Sequence, residues 1–376
     1  MAINVFVPKF HTDEVLAEIK ECLEKGWTGL GFKTVEFENK WKEYSGVKNA
    51  HFLNSNTSGL HLAVHILKKI HEWKDDDEII TTPLTFVSTN HVILYERLKP
   101  VFADVDDYLC LDPVSVKSRI TKKTKAIMYV GIGGNTGQYQ EILDICKENN
   151  LKLILDAAHM SGTKWKGKHV GQEADVAVFS FQAVKNLPTA DSGMICFQDD
   201  ELDKLARQLS WLGISKDTYQ RFNSKESSYK WYYDVPNVGF KYHGNSIMAA
   251  IGLVQLKYLD QDNNQRNYLA DYYNEQLSDI KSIKIVPIAN ECRSSRHLFQ
   301  ISMESRNEMI EQLYKSGIYP GVHYVNNTNY PMYSYAKGSC PKAQYYSDHI
   351  ISLPLHLNMT ENDIISIITI IKNESK

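Results

Sequence analysis

The chain has 376 residues, 43% apolar and 23% charged, with a formal net charge of -3 at pH 7. That balance is ordinary for a folded globular chain and excludes the basic footprint of a nucleic-acid binder or a polybasic membrane patch. No apolar run approaches the roughly 20 residues of a membrane-spanning helix, and MAINVFVPKFHTDEVLAEIK lacks the charged head and apolar core of a secretion signal. A cytoplasmic location is therefore expected.

In chain order, apolar runs alternate with helix-period segments through the first two thirds. EYSGVKNAHFLNS is followed by the helical TSGLHLAVHILKKIHEW, then EIITTP, the helical FVSTNHVILYERL, and PVFADV. AIMYVGI precedes the helix-like YQEILDICKENN, and LKLILDAA, DVAVFSF and GMICF complete the series. Short strands alternating with helices predict an α/β fold: a mostly parallel sheet flanked by helices on both faces. On such sheets ligands gather at the carboxyl ends of the strands.

Near Ser246 the pattern changes to a long helical region, SIMAAIGLVQLKYLDQDNNQRNYLADYYNEQL, with a break expected around Asp260 to Asn264. The runs SIKIVPI and RHLFQISM, the helix RNEMIEQLYKSG, the strand-like YPGVHY and a terminal helix from Thr360 predict a smaller α+β unit. The expected division is a large domain over 1–250 and a small C-terminal domain over 251–376. The N-terminal segment is expected to pack on the small one.

Several motifs point away from metals and dinucleotides. Six scattered cysteines (Cys22, Cys110, Cys146, Cys196, Cys292, Cys340) contain no C-x-x-C pair and predict reduced thiols. GIGGNTG (131–137) has Thr136 at the third glycine of G-x-G-x-x-G and no G-K-[ST] after it, so a turn is expected. His61 and His65 lie four apart, but Leu62 stands where H-E-x-x-H needs glutamate. No metal is expected.

Three features sit at strand ends. Asp156 closes LKLILDAAH, where an apolar strand carries a carboxylate into the interior and calls for a cationic or hydrogen-bonding partner. Taken alone, it would be better explained as a helix N-cap. Lys185 lies just beyond DVAVFSF; partly desolvated there, its amine would have a lowered pKa and could form a Schiff base. NSNTSG, Asn54 to Gly59, enters a helix with small polar side chains and free backbone N–H groups, a site for an anion, with Ser55 or Thr57 as the cap. Phe86, in TPLTFVSTNH, supplies a flat apolar ring where a strand turns into a helix. Together these are what pyridoxal 5'-phosphate (PLP) requires: an imine-forming lysine, an acid for the ring nitrogen, an anchor for the phosphate and a stacking face.

The chain also resembles the DegT/DnrJ/StrS-type sugar aminotransferases, fold-type I PLP enzymes, from near Lys9 to near Ile371. The resemblance is carried by GWTGLGFKTVEFENKW, NSNTSGLHLA, DEIITTPLTFVSTNHVI, KPVFADVD, ILDAAHMSGT, DVAVFSFQAVKNLPTADSGMI, VGFKYHGNSIMAAIGLVQL, YPGVHYVNN and ISLPLHLNMT, in the family's order. It implies that Lys185 forms the internal aldimine and shuttles the proton. Asp156 would pair with the pyridinium nitrogen, His159 would lie near the phenolic oxygen, and Phe86 would stack on the ring. Asn56, Thr57 and Ser180 would hold the phosphate, joined by Lys241 from a second subunit, so a homodimer with shared sites is implied. His323 and Tyr324 match a segment bordering the sugar pocket.

The family often has glycine at Asn56, histidine at Gln182, a Gly-Glu-Gly-Gly run at Ala190 to Gly193, and histidine at Gly131. These departures rim the cofactor and sugar pockets, and Gln182 stands as a clue to the substrate. The reaction implied is amino transfer from an amino acid, L-glutamate being the family's usual donor, to a nucleotide-linked 3- or 4-keto-6-deoxy sugar. A non-nucleotide keto sugar or cyclitol, and a non-catalytic PLP-binding regulator, are the alternatives. A keto-sugar deoxygenase would carry histidine at the Schiff-base position, where this chain has Lys185.

Overall fold

The computed structural model describes residues 2–215 and 233–374. After a short strand β1 (Ile3–Asn4) and helices α1 (Thr12–Glu24) and α2 (Phe32–Ser45), strands and helices alternate. They run β2 (Asn49–Leu53), α3 (Asn56–Ile70), β3 (Glu78–Thr81), α4 (Val87–Tyr95), β4 (Lys99–Phe102), α5 (Pro113–Arg119), β5 (Thr124–Val130), α6 (Tyr139–Glu148) and β6 (Lys152–Asp156). Two-residue strands β7 (Lys164–Trp165) and β8 (Lys168–His169) precede β9 (Val176–Ser180), β10 (Gly193–Phe197) and α7 (Asp200–Ser210).

The apolar runs of the sequence become one seven-stranded sheet of order β2-β10-β9-β6-β5-β3-β4. The β4, β3, β5, β6 and β9 pairings are parallel, and β10 runs antiparallel between β9 and β2. Both faces are buried, and the period-2 alternation sorts side chains between two cores. Ala177 and Phe179 of β9 join Phe37 and Trp41 on one face; Val176 and Val178 join Leu60 and Val64 of α3 on the other. Helix α3 seats closely because Gly59 has no side chain: a Cβ there would meet Val178 Cγ1 at 2.5 Å. That approach brings the N-terminus of α3 to the carboxyl edge of the sheet.

The long helix Ser246–Leu277 is continuous, without the expected break. Its polar middle is buried and bonded across the fold: Asn263 Nδ2 donates to the Ser161 carbonyl at 2.9 Å, and Arg266 Nη1 to that of Leu355 at 2.8 Å. Polarity there marks tertiary hydrogen bonding, which local periodicity does not reveal. The helix runs through residue 250; Ala249, Leu253 and Leu259 enter the sheet core, while Leu269 and Tyr273 enter a second core.

That second core is built on strands β11 (Lys284–Ile285), β13 (Phe299–Ser302) and β15 (Ile350–Leu353), in the order β11-β13-β15, and on the helices Arg306–Lys315 and Glu361–Glu374. Strand β12 (Cys292–Arg293) pairs with β7, and β1 runs parallel to β14 (Ile318–Tyr319), so the N-terminal segment lies against the C-terminal region. YPGVHY departs from its expected strand. Pro320 offers no N–H to a ladder, and after β14 only Gly321 bridges, to Ser352.

Candidate active site

The carboxyl ends of β2, β3, β5, β6 and β9 open on one cavity of about 510 Å³. It is lined by Thr57, Phe86, Asp156, His159, Ser180 and Lys185, among others. Asn56, Gln182, His323 and Tyr324 also reach it. The positions expected from sequence on both sides of residue 250 thus converge, as the strand-end rule requires.

Lys185 lies in a tight turn after β9, where its backbone N–H donates to the Gln182 carbonyl at 2.8 Å. Burial pushes its amine down to about 8, with the nearby Asp156 opposing the shift. An amine so placed reaches its neutral, nucleophilic form close to neutral pH. Gln182 has a second use, unseen in the sequence: its Oε1 accepts the Val184 N–H at 3.0 Å and closes the turn that presents the lysine.

Asp156 ends β6 with only 3% of its surface exposed. Its Oδ2 accepts from Thr89 Oγ1 at 2.8 Å and its Oδ1 from the Ala158 N–H at 3.1 Å. Burial still raises its pKa, against these bonds and Lys185. A buried carboxylate in that condition is stabilised by a cation brought against it.

Helix α3 begins beside them. Ser55 is the N-cap and accepts the Ser58 N–H at 3.1 Å. The Asn56 side chain is engaged, donating to the Val178 carbonyl at 3.0 Å and bonding Asp156, so this residue offers a helix-terminus anion its backbone. Gly193 permits the approach, since a Cβ there would meet Asn56 N at 2.7 Å. Phe86, 59% exposed, stands at the start of α4 with its ring 6.2 Å from that of Tyr324.

The wall from the C-terminal region adds residues that sequence reasoning missed. His297 is buried, with its ring 4.3 Å from His159, and Phe6 of the N-terminal segment stacks on it at 5.1 Å. Asn186, next to Lys185, accepts from His297 Nδ1 at 3.0 Å. Burial and the Lys185 charge hold His159 and His297 well below the usual histidine range and push His323 down to about 4. Burial also raises the Tyr324 phenol. All four rings are neutral near pH 7. The GIGGNTG turn supports this wall, Gly133 donating its N–H to His159 Nδ1 at 3.2 Å.

Lys241 is the one expected position that does not join the cavity of its own chain. Its ammonium lies 3.4 Å over the ring of Trp211, outside the lining. His61 and His65 share the carboxylate of Glu96, at 2.8 and 3.0 Å. Among the described residues no cluster of histidine, cysteine or acidic side chains is placed to hold a metal, and no helix is long and apolar enough to cross a membrane.

The donor set fits PLP: a depressed lysine amine, a buried carboxylate whose pKa burial raises, a glycine-cleared helix N-terminus and an exposed aromatic face converge on one cavity. This is the arrangement of a fold-type I PLP aminotransferase. The DegT/DnrJ/EryC1/StrS aminotransferase family model matches residues 10–372, and the chain belongs to that family.

The spore coat polysaccharide biosynthesis protein SpsC of Bacillus subtilis is 34% identical over 96% of this chain and 94% of its own. The dTDP-4-dehydro-2,3,6-trideoxy-D-glucose 4-aminotransferase of Saccharopolyspora spinosa is 32% identical over the same shares. Among solved structures, the sugar aminotransferase Spr1654 of Streptococcus pneumoniae superposes in its PMP form with a TM-score of 0.91, at 28% identity over 98% of both chains. Its PLP form gives 0.90 at 27% identity, over 100% of this chain and 99% of the other. The protein is a PLP-dependent sugar aminotransferase.

Proposed function

We propose that the protein moves the amino group of L-glutamate onto a nucleotide-linked 3- or 4-keto-6-deoxy sugar. The observation that carries the proposal is the meeting of Lys185, Asp156 and the start of α3 at one strand edge. When bound, PLP supplies an aldehyde for the lysine and a ring that draws electrons from the carbon losing its proton. Every other task falls to the chain.

In this reading Lys185 holds the cofactor covalently and then serves as general base and acid, for which an amine lowered to about 8 is suited. Asp156 keeps a proton on the ring nitrogen, and Thr89 and Ala158 hold its carboxylate in place. The N–H groups of Asn56 and Thr57, with the Ser180 hydroxyl, bind the phosphate. Phe86 would cover one face of the ring and His159 would lie near its phenolic oxygen. Gln182, His323 and Tyr324 border the sugar. Lys241, lying outside its own cavity, would reach the phosphate held by a partner subunit, which would make the active form a homodimer; the cytoplasm is its proposed location. The proposed large domain, 1–250, would hold the cofactor, and His297, His323 and Tyr324 of the proposed small domain, 251–376, would border it.

The relative acting on a dTDP-linked 4-dehydro sugar supports a nucleotide-linked acceptor. The test is direct. Purified protein should absorb as a lysine-bound PLP and lose that absorption with L-glutamate. Borohydride should fix the cofactor to the peptide carrying Lys185, and the glutamate-treated enzyme should aminate nucleotide-linked keto sugars. Labelling of another lysine, or no response to any amino donor, would sink the reading.

A further inference from the structure

Two neutral histidines on the cavity wall have opposite and fixed hydrogen-bond polarity. His159 Nδ1 accepts the Gly133 N–H at 3.2 Å. A backbone amide only donates, so the His159 proton sits on Nε2. That Nε2–H donates to Tyr324 Oη at 3.1 Å. The phenol oxygen is therefore an acceptor in this contact, and its own proton is left for another partner.

His297 is set the other way. Asn186 Nδ2 donates to the Ser295 carbonyl and to Asn263 Oδ1, both at 2.7 Å. A backbone carbonyl only accepts, which fixes the amide and leaves Asn186 Oδ1 to accept from His297 Nδ1 at 3.0 Å. The His297 proton is thus on Nδ1, and its Nε2 carries a lone pair with no hydrogen-bond partner among the described residues. Both groups line the cavity that holds Lys185. The wall therefore offers one donor, the Tyr324 hydroxyl, and one acceptor, His297 Nε2.

We propose that Tyr324 and His297 act as a donor–acceptor pair that reads the oxygens of the keto sugar. Tyr324 donates to an oxygen of the substrate, and His297 accepts from a free hydroxyl beside the carbonyl that is aminated. This rests on the sugar aminotransferase reading and sharpens it: the acceptor is a keto sugar that keeps its neighbouring hydroxyl. A sugar deoxygenated at that carbon covers the cavity-facing lone pair without pairing it and is rejected, because a site built to bond a hydroxyl discriminates strongly against its absence.

The test uses holoenzyme reduced with borohydride, which binds without turning over. The probes are a thymidine-diphosphate 4-keto-6-deoxyhexose and its 3-deoxy counterpart, with dissociation constants read by calorimetry. Wild type should bind the hydroxylated probe at least about tenfold more tightly. His297→Asn keeps an N–H for Asn186 and removes the acceptor; Tyr324→Phe removes one oxygen. Each should weaken the hydroxylated probe about tenfold, and His297→Asn should bring the two probes within threefold of each other.

Retention of the cofactor absorption spectrum certifies folding, and Tyr324→Phe carries the test if His297→Asn does not fold. Equal wild-type affinity for the two probes, including no binding of either, overturns the pair. So does equal weakening of both probes by His297→Asn, or unchanged binding of the hydroxylated probe by Tyr324→Phe. Failure of the functional reading is seen separately, as untreated holoenzyme whose spectrum no amino donor changes.

Discussion

The Val184 N–H donates to Oε1 of Gln182 at 3.0 Å, one residue before the lysine that marks the site. The side chain that looked in sequence like a pure substrate clue is first a brace for the Lys185 turn. Its oxygen is used, and the residue lines the cavity. Gln182→Glu keeps the brace and loses the donor. It should leave the lysine-bound cofactor spectrum intact while slowing the sugar half-reaction about tenfold, the scale of one lost polar contact. Gln182→Ala should also lower the melting temperature, since the brace contributes about 1 kcal/mol. Equal losses in both half-reactions for Gln182→Glu would show that its NH₂ group does not face the sugar.

Asp156 sits where a protonated ring nitrogen would relieve its burial. Asp156→Asn should retain the cofactor and reduce the rate of proton abstraction about a hundredfold or more, read by stopped-flow absorbance with the amino donor. Thr89→Val, which removes the 2.8 Å bond to Oδ2, should give a smaller loss in the same step. Full activity in Asp156→Asn would remove the carboxylate from the chemistry.

The sheet was legible because its strands are continuous apolar runs, and Asp156 and Lys185 stood out as charges at the ends of such runs. The helix N-terminus at the cavity was legible as a local motif, NSNTSG before a helix. What could not be read arrives from far along the chain. His297 meets Asn186 across 111 residues, and Thr89 meets Asp156 across 67. The polar stretch around Asn263 looked like a break because its partner, the Ser161 carbonyl, is 102 residues away. Phe6 carries no local signal at all; the pairing of β1 with β14 and the Leu355 N–H bond to the Val5 carbonyl bring that segment alongside the C-terminal region.

Lys185 has a stability consequence in the cofactor-free protein. Its folded value is about 8 against 10.5 for the free group. Below pH 8 both states are charged and the native state bears the burial cost. Between 8 and 10.5 the unfolded state holds more protons, so stability rises with pH through that window. The full shift corresponds to about 3 kcal/mol, an upper bound for a side chain that still meets the cavity. Lys185→Met should therefore stabilise the cofactor-free protein at pH 7 by about 1–3 kcal/mol in urea denaturation, and the gain should shrink by pH 10. A destabilised Lys185→Met protein at pH 7 would contradict the buried-amine account.

Subunit sharing can be tested by mixing. Lys185→Ala and Lys241→Ala chains are each expected to be weakly active alone. Refolded together, a mixed dimer holds one site with the Lys185 of one subunit and the Lys241 of the other intact, so activity should return. No recovery in a mixture verified to contain mixed dimers would place Lys241 outside the partner's site.

Glu38 ties the first helices to the sheet. It is buried, and its Oε1 is bonded to His51 Nδ1 at 2.9 Å and to the Phe52 N–H at 2.8 Å. Its Oε2 accepts from Arg207 Nη1 at 2.8 Å, and Arg207 in turn bonds Asp203 and the Ala50 carbonyl. One carboxylate thereby joins α2, β2 and α7. Burial raises its pKa, but Arg207, His51 and the Phe52 amide together outweigh that and bring it down to about 2, from 4.5 for the free group. The sign follows: this stability is fully present above pH 4.5 and is lost as pH falls through 2, because the unfolded carboxylate takes up its proton first. Glu38→Gln should cost about 3 kcal/mol at pH 7, the scale for breaking one partner out of a buried pair. The gap to wild type should narrow steadily below pH 4.5 in urea titrations. A constant gap between pH 7 and pH 3 would mean that Glu38 acts through packing rather than charge.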